Sequence, residues 1–442
     1  MTDPAHLSTL VVALAFVLAF VFGAVAHRVS FCTMGAITDV VNFGDWRRMR
    51  MWLLAIAVAI AGATTLQAAG LVDFAKTIYT GAKVPWLSHV VGGFLFGFGM
   101  TLGSGCGSKT LIRVGAGNLK SLVVLLFLAV AAYMTLKGAF APWRANGLDP
   151  VRLDVGAPTS DLGTLATTWG LGGAAKLWLP FAIAFAVGAF CFANRDFRTT
   201  RELVVGGLVV GAVIVAGWYV SGHLGHLAED PATLEEKFVA TNSGRMESYS
   251  FVAPVAYLLE LLVLWTDSSR VVTFGIAGVL GMIAGSAAMA LATRTFRWEG
   301  FGSVEDVANH IVGAIFMGFG GVTALGCTIG QGLTGISTLA VGSLLTFGIA
   351  GVLGMIAGSA AMALATRTFR WEGFGSVEDV ANHIVGAIFM GFGGVTALGC
   401  TIGQGLTGIS TLAVGSVLTL GAIVVGSVAA VKYQMWRIER TA

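Results

Sequence analysis

HVVGGFLFGFGMTLGSGC, residues 89–106, reappears as HIVGAIFMGFGGVTALGC at 310–327 and again, letter for letter, at 383–400. The shared frame runs from histidine through V-G and G-F-G to G-C at constant spacing. An apolar stretch this rich in glycine reads as a membrane helix with a face that lets another helix come close. The cysteine that ends it has few structural duties an alanine would not perform. Thiols repeated at the ends of related helices point to a path built around sulfur.

Working outward, the chain reads as an integral membrane protein throughout. Of its 442 residues, 56% are hydrophobic and 11% charged, and mean hydropathy is +0.84. Apolar runs of about 20 residues, the length that crosses a bilayer as helix, recur along it, and such runs must be helical to satisfy their own backbone. Spans are expected near 8–27, 51–71, 88–105, 119–140, 176–193, 203–221, 249–266, 271–292, 306–326, 335–365, 379–399 and 408–432. The first run lacks the basic flank of a signal peptide and reads as a helix that stays attached. The net charge of +3 includes no basic block, so no nucleic-acid partner is expected; the partner of these surfaces is the lipid bilayer. Five cysteines form no CxxC and have no zinc-finger spacing to histidine, so no metal and no cofactor are expected.

Basic residues mark the sides. Arg47, Arg48 and Arg50, then Lys109, Arg113 and Lys120, then Arg195, Arg198 and Arg201 follow alternate spans, whereas 222–248 is acidic. The positive-inside rule puts these basic connections in the cytoplasm and the N-terminus outside. The tail, with Lys432, Arg437 and Arg440, also prefers the cytoplasm, yet simple counting puts it outside. One span is therefore expected to be re-entrant, around a cysteine loop.

Two layers of repetition are present. An older one pairs a first membrane half, 1–140, with a second, 176–432. A younger one makes 273–343 identical to 346–416, and this extra unit reads as a passenger. It fuses two segments into an expected helix over 335–365, about 46 Å long at 1.5 Å per residue and longer than a bilayer core.

The cysteine loops carry the chemistry. They are Ser30-Phe31-Cys32-Thr33, Gly105-Cys106-Gly107-Ser108-Lys109 and Gly326-Cys327-Thr328-Ile329-Gly330-Gln331, with the twin Gly399-Cys400-Thr401-Ile402-Gly403-Gln404. Glycine beside the thiol frees the backbone, and irregular backbone at membrane depth survives where it lines a cavity. Thr328 and Gln331, or Thr401 and Gln404, offer hydrogen bonds to an anion's oxygens. Lys109 and Arg113 either draw an anion onward or anchor the chain in the cytoplasm. Cys191 lacks the glycine frame and reads as a buried apolar side chain. His89, His310 and His383 read as cap or interface residues. Glu260, inside YLLELLVLW, is either functional or snorkels to the interface.

At these residues the chain resembles the YeeE/YedE family of sulfur-transport membrane proteins: the early S-F-C, the G-S-G-C loop and above all G-C-T-I-G-Q-G-L-T-G. The resemblance implies an all-α, polytopic, hourglass-like bundle of internal repeats with re-entrant cysteine loops, set in the inner membrane. It implies a transporter, not an enzyme, that takes up thiosulfate past Cys32, Cys106 and the cysteine of the third motif, a position held by both Cys327 and Cys400. A cytoplasmic sulfur-carrier protein is the partner it implies. A thiol is a weak donor with little hydration, suited to hold a soft anion without trapping it. A selenium-compound transporter and a membrane sulfurtransferase carrying a persulfide are the alternatives; the latter needs an activating base beside a thiol.

Overall fold

In a computed structural model, which describes residues 4–230 and 234–365, the chain is helical, with only two 2-residue strand pairs, 83–84 with 153–154 and 226–227 with 237–238. The helices are α1 (Pro4–Arg28), α2 (Thr33–Phe43), α3 (Arg47–Ala68), α4 (Trp86–Leu102), α5 (Gly107–Gly115), α6 (Leu119–Leu136), α7 (Leu162–Ala166), α8 (Ala175–Ala193), α9 (Arg195–Thr199), α10 (Arg201–Tyr219), α11 (Ala253–Val263), α12 (Phe274–Ala292), α13 (Val304–Thr323), α14 (Val341–Leu344) and α15 (Gly351–Ala365). Among the described residues eight helical stretches are long and apolar enough to cross a membrane. The protein is an all-α, multi-pass membrane protein.

Glycine decides how the helices meet. The repeat helices α4 and α13 cross with their small residues face to face. A Cβ on Gly99 would lie 2.6 Å from Gly313 O, and one on Gly320 would lie 2.6 Å from Gly92 O. In the repeat frame Gly92 corresponds to Gly313 and Gly99 to Gly320, so these two contacts exchange under the repeat. That is the signature of an antiparallel, two-fold-like pair. Without a hydrophobic driving force inside lipid, such close backbone approach is what holds helices together.

The same device is used twice by one sequence. On α12, Gly281 and Gly285 sit against Phe16 O and Phe20 O of α1, where a Cβ would come within 2.4 and 1.9 Å. The second copy of this helix, 347–365, sets the equivalent Gly354 and Gly358 against Phe94 O and Phe98 O of α4, at 2.0 and 2.7 Å. Phe347 also stacks on Trp52 at 5.2 Å. The first helix of the extra unit therefore packs into the bundle.

Two expected spans differ. The segment 249–266 supplies only the 11-residue α11, because residues 237–252 run as strand and irregular chain before it. The helix expected over 335–365 begins instead at Val341. Leu339 adopts a positive φ of 53°, Leu162 N donates to Leu339 O at 3.2 Å, and Val341 N donates to Ser160 O at 3.0 Å. This pins the chain to the connection before α7. From Val341 to Ala365 the helix continues through a π-helical stretch at Leu345–Ala350. The expected spans 379–399 and 408–432, with His383, Gly399, Cys400, Thr401 and Gln404, lie outside the described residues.

Candidate functional site

Three of the helices stop at a thiol. Helix α1 ends at Arg28; the chain turns through Ser30 (φ 51°), and Cys32 becomes the N-cap of α2, its Sγ accepting from Gly35 N at 3.4 Å. Helix α4 ends at Leu102, turns through Ser104 (φ 57°), and delivers Cys106 as the N-cap of α5. Helix α13 ends at Thr323, turns through Leu325 (φ 59°), and delivers Cys327, whose Sγ accepts from Gly330 N at 3.5 Å. The last two turns share one backbone shape, with Gly105 and Gly326 both at φ 159°. A Cβ at Gly105 would press on the Lys109 stem at 2.8 Å, and one at Gly326 would meet Gly330 C at 3.2 Å. Glycine before the thiol is therefore a packing requirement.

The thiols converge. Cys32 lies beside Cys106 side chain to side chain, Thr328 neighbours the Cys106 thiol as well, and Cys327 is close enough to interact electrostatically with it. Ser108 Oγ lies 3.2 Å from Cys106 Sγ. All three cysteines are buried. Gln331 N donates to Cys327 O at 2.7 Å and its side-chain amide donates to Ala324 O, which braces the third loop; Gln331 Oε1 has no partner among the described residues. Cys191 stands apart, its Sγ bonded to Arg50 O at 3.3 Å.

Cavities reach this cluster from two directions. One, about 490 Å³, holds His27, Arg28, Arg48, Lys109 and Arg113 and ends on Cys32. Arg48 pairs with Asp39, Arg28 with Glu202 at 2.7 Å, and Arg113 donates to Ser104 O at 2.9 Å. Lys109 acts electrostatically on Cys32. In sequence no lysine sits beside Cys32; the fold brings one there. The other cavity, about 160 Å³, is lined by Tyr79, Asn242, Glu247 and Tyr257 and ends on Leu325 and Gly326, just before Cys327. Asn242, Ser243 and Glu247 come from the acidic connection 222–248, whereas the first cavity is basic, the kind of lining that the positive-inside rule associates with the cytoplasmic side.

Sequence reading missed the second halves of both cavities, because Arg48, Thr293, Glu247 and Tyr257 come from distant segments. One signal was available. Cys32-Thr33-Met34-Gly35 and Cys327-Thr328-Ile329-Gly330 share C-T-x-G, and the glycine amide in each is the group that binds the sulfur. Trp52 stacks on Phe31 at 5.3 Å beside Cys32. Thr33 Oγ1, Trp52 Nε1 and Thr328 Oγ1 are buried hydrogen-bonding atoms without partners among the described residues, and all three residues border one apolar cavity of about 220 Å³. The other two polar questions resolve structurally. His89 Nδ1 lies 2.7 Å from Thr346 Oγ1 at a helix interface. Glu260, itself buried, receives Lys137 Nζ at 2.8 Å and Arg270 at 3.2 Å, two cations that are about 40% exposed.

The sulphur transport family profile matches residues 28–350 and again 342–429, which covers the cysteine loops and both copies of the duplicated unit. The chain belongs to this family, the YeeE/YedE group of sulfur-transport membrane proteins. Two relatives in it are named thiosulfate transporter TsuA. That of Escherichia coli K12 is 25% identical over 332 residues, 70% of this chain and 83% of its own. That of Spirochaeta thermophila is 26% identical over 331 residues, 73% of this chain and 91% of its own.

Proposed function

We propose that this protein takes up thiosulfate across the inner membrane, passing it along a line of thiols where the two cavities meet. The observation that carries this is the convergence of Cys32, Cys106 and Cys327 from three separate helix ends between an outer cavity and a basic inner one. The chemistry suits the cargo. Thiol S–H groups are weak donors, so they stabilise a soft sulfur anion without holding it, and conduction needs binding that is strong enough to enter and weak enough to leave. Backbone amides at the starts of α2 and α5 add favourable dipole ends. On the cytoplasmic side Lys109 and Arg113 attract the emerging anion. Named relatives that carry thiosulfate support the choice of substrate among sulfur species.

The test is uptake of sulfur-labelled thiosulfate by cells that lack other thiosulfate uptake and express this chain. Cys106→Ala is expected to abolish uptake while the protein still reaches the membrane. Uptake unchanged in the triple variant Cys32→Ala, Cys106→Ala, Cys327→Ala sinks the thiol line, unless a further Cys400→Ala abolishes it. A persulfide mass adduct on Cys32 or Cys106 without transport of intact thiosulfate points to sulfur transfer instead.

A further inference from the structure

We infer that Glu247 is a protonation gate in the outer cavity, so that an inorganic sulfur dianion reaches Cys327 together with a proton. The inference rests on the transport reading above and adds the coupling to it. Glu247 is the only carboxylate among the described residues that line this cavity, whose floor is Leu325 and Gly326. A space of about 160 Å³ cannot comfortably hold a dianion beside an ionised carboxylate, since like charges repel strongly where water is scarce. With the carboxyl protonated, the same wall becomes a donor surface. Asn242 Nδ2, buried and without a partner among the described residues, lines the cavity too, and the Tyr79 and Tyr257 hydroxyls stand in the same wall.

The surroundings favour the neutral form. Burial pushes the Glu247 carboxyl above the ordinary glutamate range; hydrogen bonds from Ser243 N at 3.0 Å and Ser243 Oγ at 2.6 Å oppose the rise and do not cancel it. The connection before α4 contributes Tyr79 and α11 contributes Tyr257, both of which sense its charge. The lining residues of α6, α12 and α13 are Leu136, Gly275, Gly321 and Val322, none of which ionises. Arg245, on the same loop, gives its guanidinium to Thr77 O at 3.0 Å. An acid whose pKa is raised stays neutral to a higher pH than an ordinary glutamate and ionises as pH rises further. Uptake through this gate therefore falls as external pH rises.

The experiment is thiosulfate uptake into proteoliposomes holding the full chain, across external pH 5–8, with and without an inward proton gradient. Thiosulfate remains a dianion over this range, so any titration belongs to the protein. Wild type is expected to lose uptake by up to about tenfold per pH unit above the pKa of the gate, and to be driven by the gradient. Glu247→Gln is expected to be flat with pH and insensitive to the gradient, whereas Glu247→Asp retains both dependences. A Glu247→Gln profile that follows wild type, or a wild-type rate that ignores pH, overturns the gate while leaving transport intact. No uptake by wild type at any pH overturns the transport reading and the gate with it.

Discussion

At the scale of single residues, the contrast between Cys191 and the other described cysteines is instructive. All are buried, so burial does not separate them. What separates them is company: Cys191 bonds a backbone carbonyl of α3, whereas Cys32, Cys106 and Cys327 face one another. Cys191→Ala is therefore expected to leave thiosulfate uptake within about twofold of wild type, with a stability cost on the order of 1 kcal/mol for one lost hydrogen bond. Uptake assays beside thermal unfolding in detergent check both. Glu260 belongs to the opposite class. Lys137 and Arg270 share a 5% exposed carboxylate, so removing Lys137 leaves Glu260 paired to Arg270, and only removing both strips the buried charge of its cations. Lys137→Met alone should destabilise the protein by roughly 1 kcal/mol, because the lysine is itself 44% exposed and Arg270 still pairs the carboxylate, whereas Lys137→Met combined with Arg270→Met should cost about 3–5 kcal/mol. Equal melting of the single and double variants would show that the pair carries no such burden.

At the scale of elements, glycine spacing sets which helices touch. The two copies of one helix dock through equivalent glycines on α1 and on α4. Gly285→Leu and Gly358→Leu should both fail, since each places a side chain where a phenylalanine carbonyl now sits. The expected result for each is at least a tenfold loss of folded protein in the membrane, read by fluorescence-detected size exclusion. A harmless Gly358→Leu would mean that the contact with the Phe98 carbonyl does not hold this helix against α4. The breaks between elements were less legible. Glycine beside Cys106 and Cys327 coincides with the breaks after α4 and α13, but the late start of the helix at Val341 depends on pairing with a loop remote in sequence.

At the scale of the whole molecule, the helix that follows the first repeat unit packs beside α4 and needs nothing further along the chain for that contact. A chain ending after Thr368 is thus expected to insert and to transport thiosulfate at no less than about half the wild-type rate per folded protein. Transport lost on this truncation, with insertion intact, would give the remaining residues an essential part. The segment 249–266 supplies one short helix and not a full-length one, and α12 ends near His27 in the basic cavity, where Thr293 and Thr295 lie.

The residue order alone determined the class of the protein, since long apolar runs with internal polar backbone have no other stable form in lipid than helix. It also determined the family, through G-S-G-C and G-C-T-I-G-Q-G, and the places where helices yield to loops, through glycine. Which thiols meet, which lysine stands by Cys32 and which carboxylate guards the way to Cys327 were decided by tertiary structure only. Those neighbours come from segments as far apart as Cys32 and Thr328, and proximity across such distances is a consequence of packing, which local sequence pattern does not encode.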